Sequence, residues 1–210
     1  MPTYSAKTSQ KPRPVALLLF DSTKLLDFAG PLQVFSDAKL PNSAKAYDVH
    51  LLSETGGSLQ TDTVCKLETS ALAAHQDIVW DTVLVSGGRS AFVAMQSEPL
   101  RAFVSKAAGS CRRLGSICLG AFVLAASGHL AGRSATTHWD GSAKLSTDFP
   151  DVNVKDDAIY VEDNGIWTSA GVSAGVDMAI EMVRRDLGVS AAQNRLCCLW
   201  CATAVSDSSV

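Results

Sequence analysis

The sequence predicts an α/β fold, a three-layer sandwich with a mostly parallel central sheet, and three observations predict it. Short apolar runs at 15–20 (VALLLF) and 82–85 (TVLV) have the continuous hydrophobicity of strands buried on both faces. Segments with apolar residues at helical spacing, such as 98–108 and 173–187, alternate with those runs. A third strand-like stretch, 112–117, stops on Cys118, and a small-residue helical pattern starts at once. That is the pattern of a strand–cysteine–helix nucleophile elbow.

Composition bounds the rest. A chain of 210 residues can bury one full core, and 47% hydrophobic with 19% charged residues is the composition of an ordinary globular protein. The formal net charge of −3 leaves no basic stripe, so no nucleic-acid contact is expected of this chain alone. The first 12 residues are polar and lack the apolar stretch of a secretory signal, and 15–20 is too short to cross a bilayer. The expectation is a cytoplasmic protein with no membrane contact. Four histidines and six cysteines show no repeated metal-ligand spacing, so neither metal nor cofactor is expected, and a reducing compartment is the default.

Taken in order, 1–13 reads as a disordered tail and 15–20 as the first buried strand. A loop at 21–27 leads to a helix opening at 28–31, with Pro31 in its first turn and Leu32, Phe35 and Ala38 as its apolar stripe. Residues 47–52 form the next strand, and Gly56 and Gly57 turn into a hairpin over 58–67 that carries Cys65. The strand at 82–85 closes on Gly87 and Gly88. Ser97 caps a helix over 98–108, with Pro99 just inside it. The helix after Cys118 ends at Gly128. Residues 134–137 are β-like, and Asp140 is placed to cap a small helix reaching about 149. Strands follow at 152–154 and 159–161, and Asn164-Gly165 is a hairpin signal leading into 166–168. The helix at 173–187 puts Val176, Ile180, Val183 and Leu187 on one face and stops at Gly188, with Thr168, Ser169 and Ser173 as its capping residues. A last helix starts near Ser190. With no repeat or linker, 14–196 reads as one domain and 197–210 as an atypical tail.

In such sheets chemistry collects at the carboxyl ends of strands. Four of those ends carry suggestive residues: Asp27, the Gly87–Gly88 pair, Cys118, and Thr137-His138. A sulfur at a helix start is expected to be a favoured thiolate, either a nucleophile or an oxidisable sensor. Each residue also has a plainer use. Cysteine is a common buried hydrophobe, aspartate a common helix cap, a glycine pair a tight turn, and a lone histidine a structural one. Cys65 and Cys111 read as structural, and Trp80 and Trp167 as core or dimer-contact residues. Cys197, Cys198 and Cys201 resemble half a metal site without a second ligand pair, and so an apolar face.

Five separated motifs, LLDFAGP at 25–31, SGG at 86–88, GSICLGA at 115–121, RSATTHW at 133–139 and TSAGVSAGVD at 168–177, together resemble the ThiJ/PfpI superfamily, with the fold of class I glutamine amidotransferases. The resemblance covers about 15–196 and is nearest to two branches: the sensor domain of AraC-type transcriptional regulators, and isocyanide hydratase, which adds water to an isocyanide to give an N-formamide. Residues 161–177 look nearer to the regulators. The resemblance implies catalytic or reactive roles for Cys118, Asp27 and His138, and a ligand-facing role for Gly87 and Gly88, whose amides would face the sulfur. It implies a small-molecule ligand and a homodimer. Position 119 is commonly threonine in these branches; Leu119 removes that hydroxyl from the pocket and weakens the catalytic expectation more than the binding one. The regulators continue into a helix-turn-helix domain, whereas the resemblance here stops near 196, and a stand-alone or altered form is expected.

Overall fold

The structure, a computed structural model, describes residues 11–188; the expectations for 190–210 and for most of the N-terminal tail lie outside the described residues. The elements run β1 (Arg13–Leu18), α1 (Leu25–Asp37), β2 (Tyr47–Ser53), β3 (Gly57–Gln60), β4 (Lys66–Ala71), β5 (Thr82–Val85), α2 (Ala91–Ala94), α3 (Glu98–Ala108), β6 (Arg113–Ile117), α4 (Ala121–Ala126), β7 (Ser134–Ala135), α5 (Trp139–Asp148), β8 (Asn153–Val154), β9 (Tyr160–Asp163), β10 (Ile166–Ser169) and α6 (Ser173–Leu187). Eight strands form one sheet in the order β3-β4-β2-β1-β5-β6-β10-β9. The neighbours from β4 to β10 are parallel, and the β3–β4 and β9–β10 hairpins close the two edges antiparallel.

The apolar runs sit where their composition demands. Val15, Ala16, Leu17 and Leu18 of β1 and Val83, Leu84 and Val85 of β5 are essentially without solvent contact, because helices cover both faces of the central strands. From β1 the chain moves one way to β2, and from β5 the other way to β6. Right-handed crossovers therefore put α1 and α3 on opposite faces. The strand order reverses between β1 and β5, which opens a crevice at their carboxyl ends.

Five local expectations are corrected, the first three through contacts from far along the chain. The first helix starts at Leu25 rather than at 28, so Pro31 lies inside it and Asp27 in its first turn. Its free Leu25 N–H is satisfied by the Asp62 carboxylate (2.9 Å), which arrives on the β3–β4 loop. In α5 the cap is His138, whose Nδ1 accepts from the Asp140 N–H (3.3 Å), and this leaves the Asp140 carboxylate for another partner. Thr168 and Ser169 are buried in β10 and do not cap α6; Thr168 Oγ1 accepts from the Thr136 N–H instead (2.8 Å). The buried face of α6 is Ala174, Gly175, Met178, Ala179, Met182 and Val183, with Val176, Ile180 and Leu187 half-buried at its margin. Cys65 is exposed on the hairpin loop, so it supports no core. Trp80 and Trp167 are core residues.

At the amino ends of the strands, Asp186 of α6 is the hub of a buried ionic cluster. Its carboxylate accepts from Arg112 (2.7 Å), Arg113 (2.9 Å) and the Tyr47 hydroxyl (2.7 Å), and Arg13 lies 3.2 Å away. Burial pushes the Asp186 carboxyl up, but the arginines and the tyrosine outweigh it and hold it below the usual carboxylate range. A folded-state pKa below the unfolded value means stability that is complete above about pH 4 and lost as the pH falls further. Asp186→Asn should therefore destabilise the fold by about 3 kcal/mol near neutral pH, since it leaves buried arginine charge uncompensated. The gap between the parent and variant melting curves should narrow as the pH drops below about 4, which chemical denaturation across a pH series measures.

Candidate functional site at Cys118

The site grows from the end of β6. After Ile117 the backbone enters the left-handed region at Cys118 (φ 56°), passes through a tight turn over Cys118–Gly120 and continues into α4. That conformation costs a non-glycine residue about 1–2 kcal/mol and persists only when its surroundings fix it. Thr137 helps fix it by donating its hydroxyl to the Cys118 carbonyl (2.8 Å). Gly171, itself at φ 129°, passes so close that a Cβ there would stand 3.2 Å from the Cys118 sulfur. The N–H groups of Leu119 and Gly88 face that sulfur.

Asp27 comes from α1 and has no solvent exposure. Its Oδ1 accepts from the Val172 N–H (2.9 Å), aimed by a left-handed backbone (φ 42°) that a β-branched residue rarely adopts. Its Oδ2 is buried without any other partner of ordinary hydrogen-bond geometry and lies toward the Cys118 thiol. Gly87 is what allows this approach: a Cβ at that position would collide with both Asp27 Oδ2 and Cys118 Cβ.

Burial is the largest influence on both groups. It raises the Asp27 carboxyl above its ordinary value, against the pull of the Val172 N–H and of Cys118. It pushes the Cys118 thiol up to about 12, helped by the Asp27 charge and opposed by the Leu119 and Gly88 amides. Around neutral pH the Cys118 thiol therefore keeps its proton, beside the Asp27 carboxyl. The helix start that favours a thiolate is thus opposed: Cys118 is only 3% exposed, and desolvation and a neighbouring carboxylate work against two amides at the start of a six-residue helix.

Cys118 and Leu119 form the floor of an open hollow of about 370 Å³ at the crevice between β1 and β5. Two ion pairs stand in its walls, Lys24–Asp62 (3.3 Å) and Arg89–Asp140 (3.1 Å). His138 lines the hollow half-buried and lowers the Asp27 carboxyl through space, while its ring tilts against Trp139. Of the residues singled out from sequence, Cys118, Asp27, Gly88 and Leu119 meet directly and His138 stands on the wall. Gly87 serves by its missing side chain, and its carbonyl accepts from the Lys24 N–H (3.0 Å). Leu119, beside Gly141, is an apolar stretch of wall. Of the residues that carry the wall charges, sequence reasoning did not single out Lys24, Asp62 or Arg89, and it read Asp140 only as a helix cap. It missed the Val172 amide as well, although the TSAGV motif pointed to its neighbourhood.

The DJ-1/PfpI family profile matches residues 13–185. The chain is 31% identical over 179 residues to an isonitrile hydratase of Pseudomonas putida, a match covering 85% of this chain and 74% of that protein. It is 27% identical over 183 residues to the helix-turn-helix transcriptional regulator GbdR of Pseudomonas aeruginosa, covering 86% of this chain and 48% of the regulator. Among solved structures, an AraC family transcriptional regulator from Pseudomonas putida superimposes with a TM-score of 0.76 at 21% identity, covering 90% of this chain and all of the other. Drosophila melanogaster DJ-1beta does so with a TM-score of 0.78 at 19% identity, covering 90% of this chain and 98% of its own. The chain belongs to the DJ-1/PfpI family, related both to the regulators and to the hydratase.

The raised thiol makes a checkable statement. Asp27→Asn keeps an oxygen for the Val172 N–H but removes the charge that opposes the thiolate, so the Cys118 pKa should fall from about 12. Alkylation at Cys118, followed by peptide mass spectrometry in mildly alkaline buffer, should accelerate roughly tenfold per unit of that fall.

Proposed function

We propose that this DJ-1/PfpI chain is a ligand-sensing domain of the kind found in the regulators it matches, and that a small polar metabolite enters the hollow above Cys118. The observation that carries this reading is the hollow itself: the Cys118 sulfur lies buried at its floor beside apolar Leu119, and its walls carry Lys24, Arg89 and His138. Such a hollow offers a ligand charge and hydrogen bonds, while the thiol beneath it is a slow nucleophile. The proton kept on Cys118 favours ligand sensing over peroxide sensing, because the thiolate is the oxidisable form. Thermal-shift screening against small metabolites tests it. A ligand at about 100 times its dissociation constant should add about 2.7 kcal/mol of stability, and Leu119→Phe, which crowds the hollow, should abolish the shift. Sulfenic acid forming readily at Cys118 under equimolar peroxide, with no metabolite shifting the melt, would transfer the case to redox sensing.

The Asp27–Cys118 pair together with the hydratase relationship favours a second reading, hydration of an isonitrile. The sulfur would bond to the terminal carbon as its proton passes through Asp27 to that same carbon, giving a thioimidate. Water would then add to the carbon and the C–S bond would break, returning the thiol and releasing an N-formamide with the net gain of one water. On this reading the infrared isonitrile band decays under turnover and Cys118→Ala abolishes the decay. A band that persists with the parent protein removes it.

A further inference from the structure

A second hollow, of about 380 Å³, lies on the other side of the turn that follows β1, between the carboxyl ends of β1 and β2 and the corner joining α2 to α3. It shares no lining residue with the Cys118 hollow: Asp21 faces this one and Ser22 the other. Its size falls within the range of small-molecule pockets. The floor is apolar, made by Leu19, Leu59 and Leu100, each nearly without solvent contact, with the half-buried Phe20 ring beside them. The charged groups that line it are all of one sign, beside the hydroxyls of Ser53, Thr55, Ser58 and Ser97. Two carboxylates, Asp21 and Glu54, line the hollow, and no lysine, arginine or histidine does.

Neither carboxylate has a cation partner among the described residues. Asp21 Oδ1 accepts from the Gln60 N–H (3.3 Å) and Glu54 Oε2 from the Ser97 hydroxyl (2.6 Å), which positions both groups and leaves one oxygen of each uncommitted. Both carboxylates are solvent-exposed, and two negative charges without a cationic partner at the rim of an apolar floor attract a positive guest, most strongly at low salt. The Phe20 ring adds a face that a cation also favours. A bare hydrated metal ion would gain nothing from three leucines and a phenylalanine, whereas an ammonium on an apolar body uses both halves of the hollow.

We propose that this hollow binds a small organic cation, with its ammonium held by Asp21 and Glu54 and its apolar body on the leucine floor. The proposal is independent of what the Cys118 hollow binds. Calorimetric titration of the full chain at low salt, with phenethylammonium chloride against the neutral phenethyl alcohol, tests it. The ammonium should bind about tenfold or more tighter than the alcohol, and the Asp21→Asn/Glu54→Gln double variant should erase that preference. Both substitutions keep the acceptor oxygens used by Gln60 and Ser97, and circular dichroism melting should match the parent. Leu119→Phe, which crowds the other hollow, should leave the affinity within about twofold. Equal binding of amine and alcohol, an unaltered preference in the double variant, loss of binding in Leu119→Phe, or no binding of the ammonium at all would each overturn the proposal.

Discussion

The constraint on which the structure turns is that a thiol and a carboxyl are buried side by side, each with its charged form disfavoured by burial. Gly87 makes the space, Val172 holds one carboxylate oxygen, and the Leu119 and Gly88 amides face the sulfur. The backbone bends to make this possible: Cys118, Gly171 and Val172 all sit at positive φ, and the two that are not glycine cost about 1–3 kcal/mol each. A marginally stable domain carries such strain only where the surrounding packing is strong. Here it is strong, because β6 is buried at every position, as is β5, its neighbour toward the middle of the sheet, and β1 beyond it is buried from Val15 to Leu18.

The same logic explains α6. Its first turn follows Val172, so the helix starts where the Asp27 carboxylate is anchored, and its last turn carries Asp186, held among arginines at the opposite pole of the sheet. Both ends of a fifteen-residue helix are therefore tied to charge that solvent does not reach. Packing against α1 along its length, where a side chain larger than glycine at position 30 would strike Val176, leaves α6 few ways to move except as a rigid piece. A change in the protonation or occupancy of the Cys118 site would act on that helix as a whole, a mechanical property that suits a sensing domain better than a free-standing catalyst.

What the sequence disclosed, and what it kept back, follows from the range of the interactions involved. Strand β5 and helix α3 were readable to the residue, because a short apolar run and a Ser–x–Pro start are determined locally. The start of α1 was not, because its cap is Asp62, contributed by a hairpin far along the chain. The capping role of His138 was hidden for a different reason: Asp140 is the better cap by composition, but its carboxylate is taken by Arg89. The meeting of Asp27, Gly88 and Cys118 could be inferred from three strands ending on one edge of a parallel sheet. The protonation of the sulfur could not. The local rule for a cysteine at a helix start points to a thiolate, and only the three-dimensional burial of both groups opposes it.

That opposition also defines what separates the two functional readings. An electrophilic carbon entering the hollow would take up the sulfur lone pair and send the proton through Asp27 Oδ2, a buried oxygen without another partner. A ligand lacking such a carbon would leave the proton where it is and bind through the wall charges. The residue that tips the balance is Leu119. It contributes its backbone N–H to the sulfur but no side-chain donor to the hollow, so a reacting nitrogen or oxygen would develop charge against an apolar surface. An unassisted developing charge raises a barrier, whereas an apolar floor beneath the Lys24–Asp62 and Arg89–Asp140 ion pairs does nothing to weaken ground-state binding. On the sensing reading proposed above, binding without turnover is the outcome expected of this arrangement of side chains.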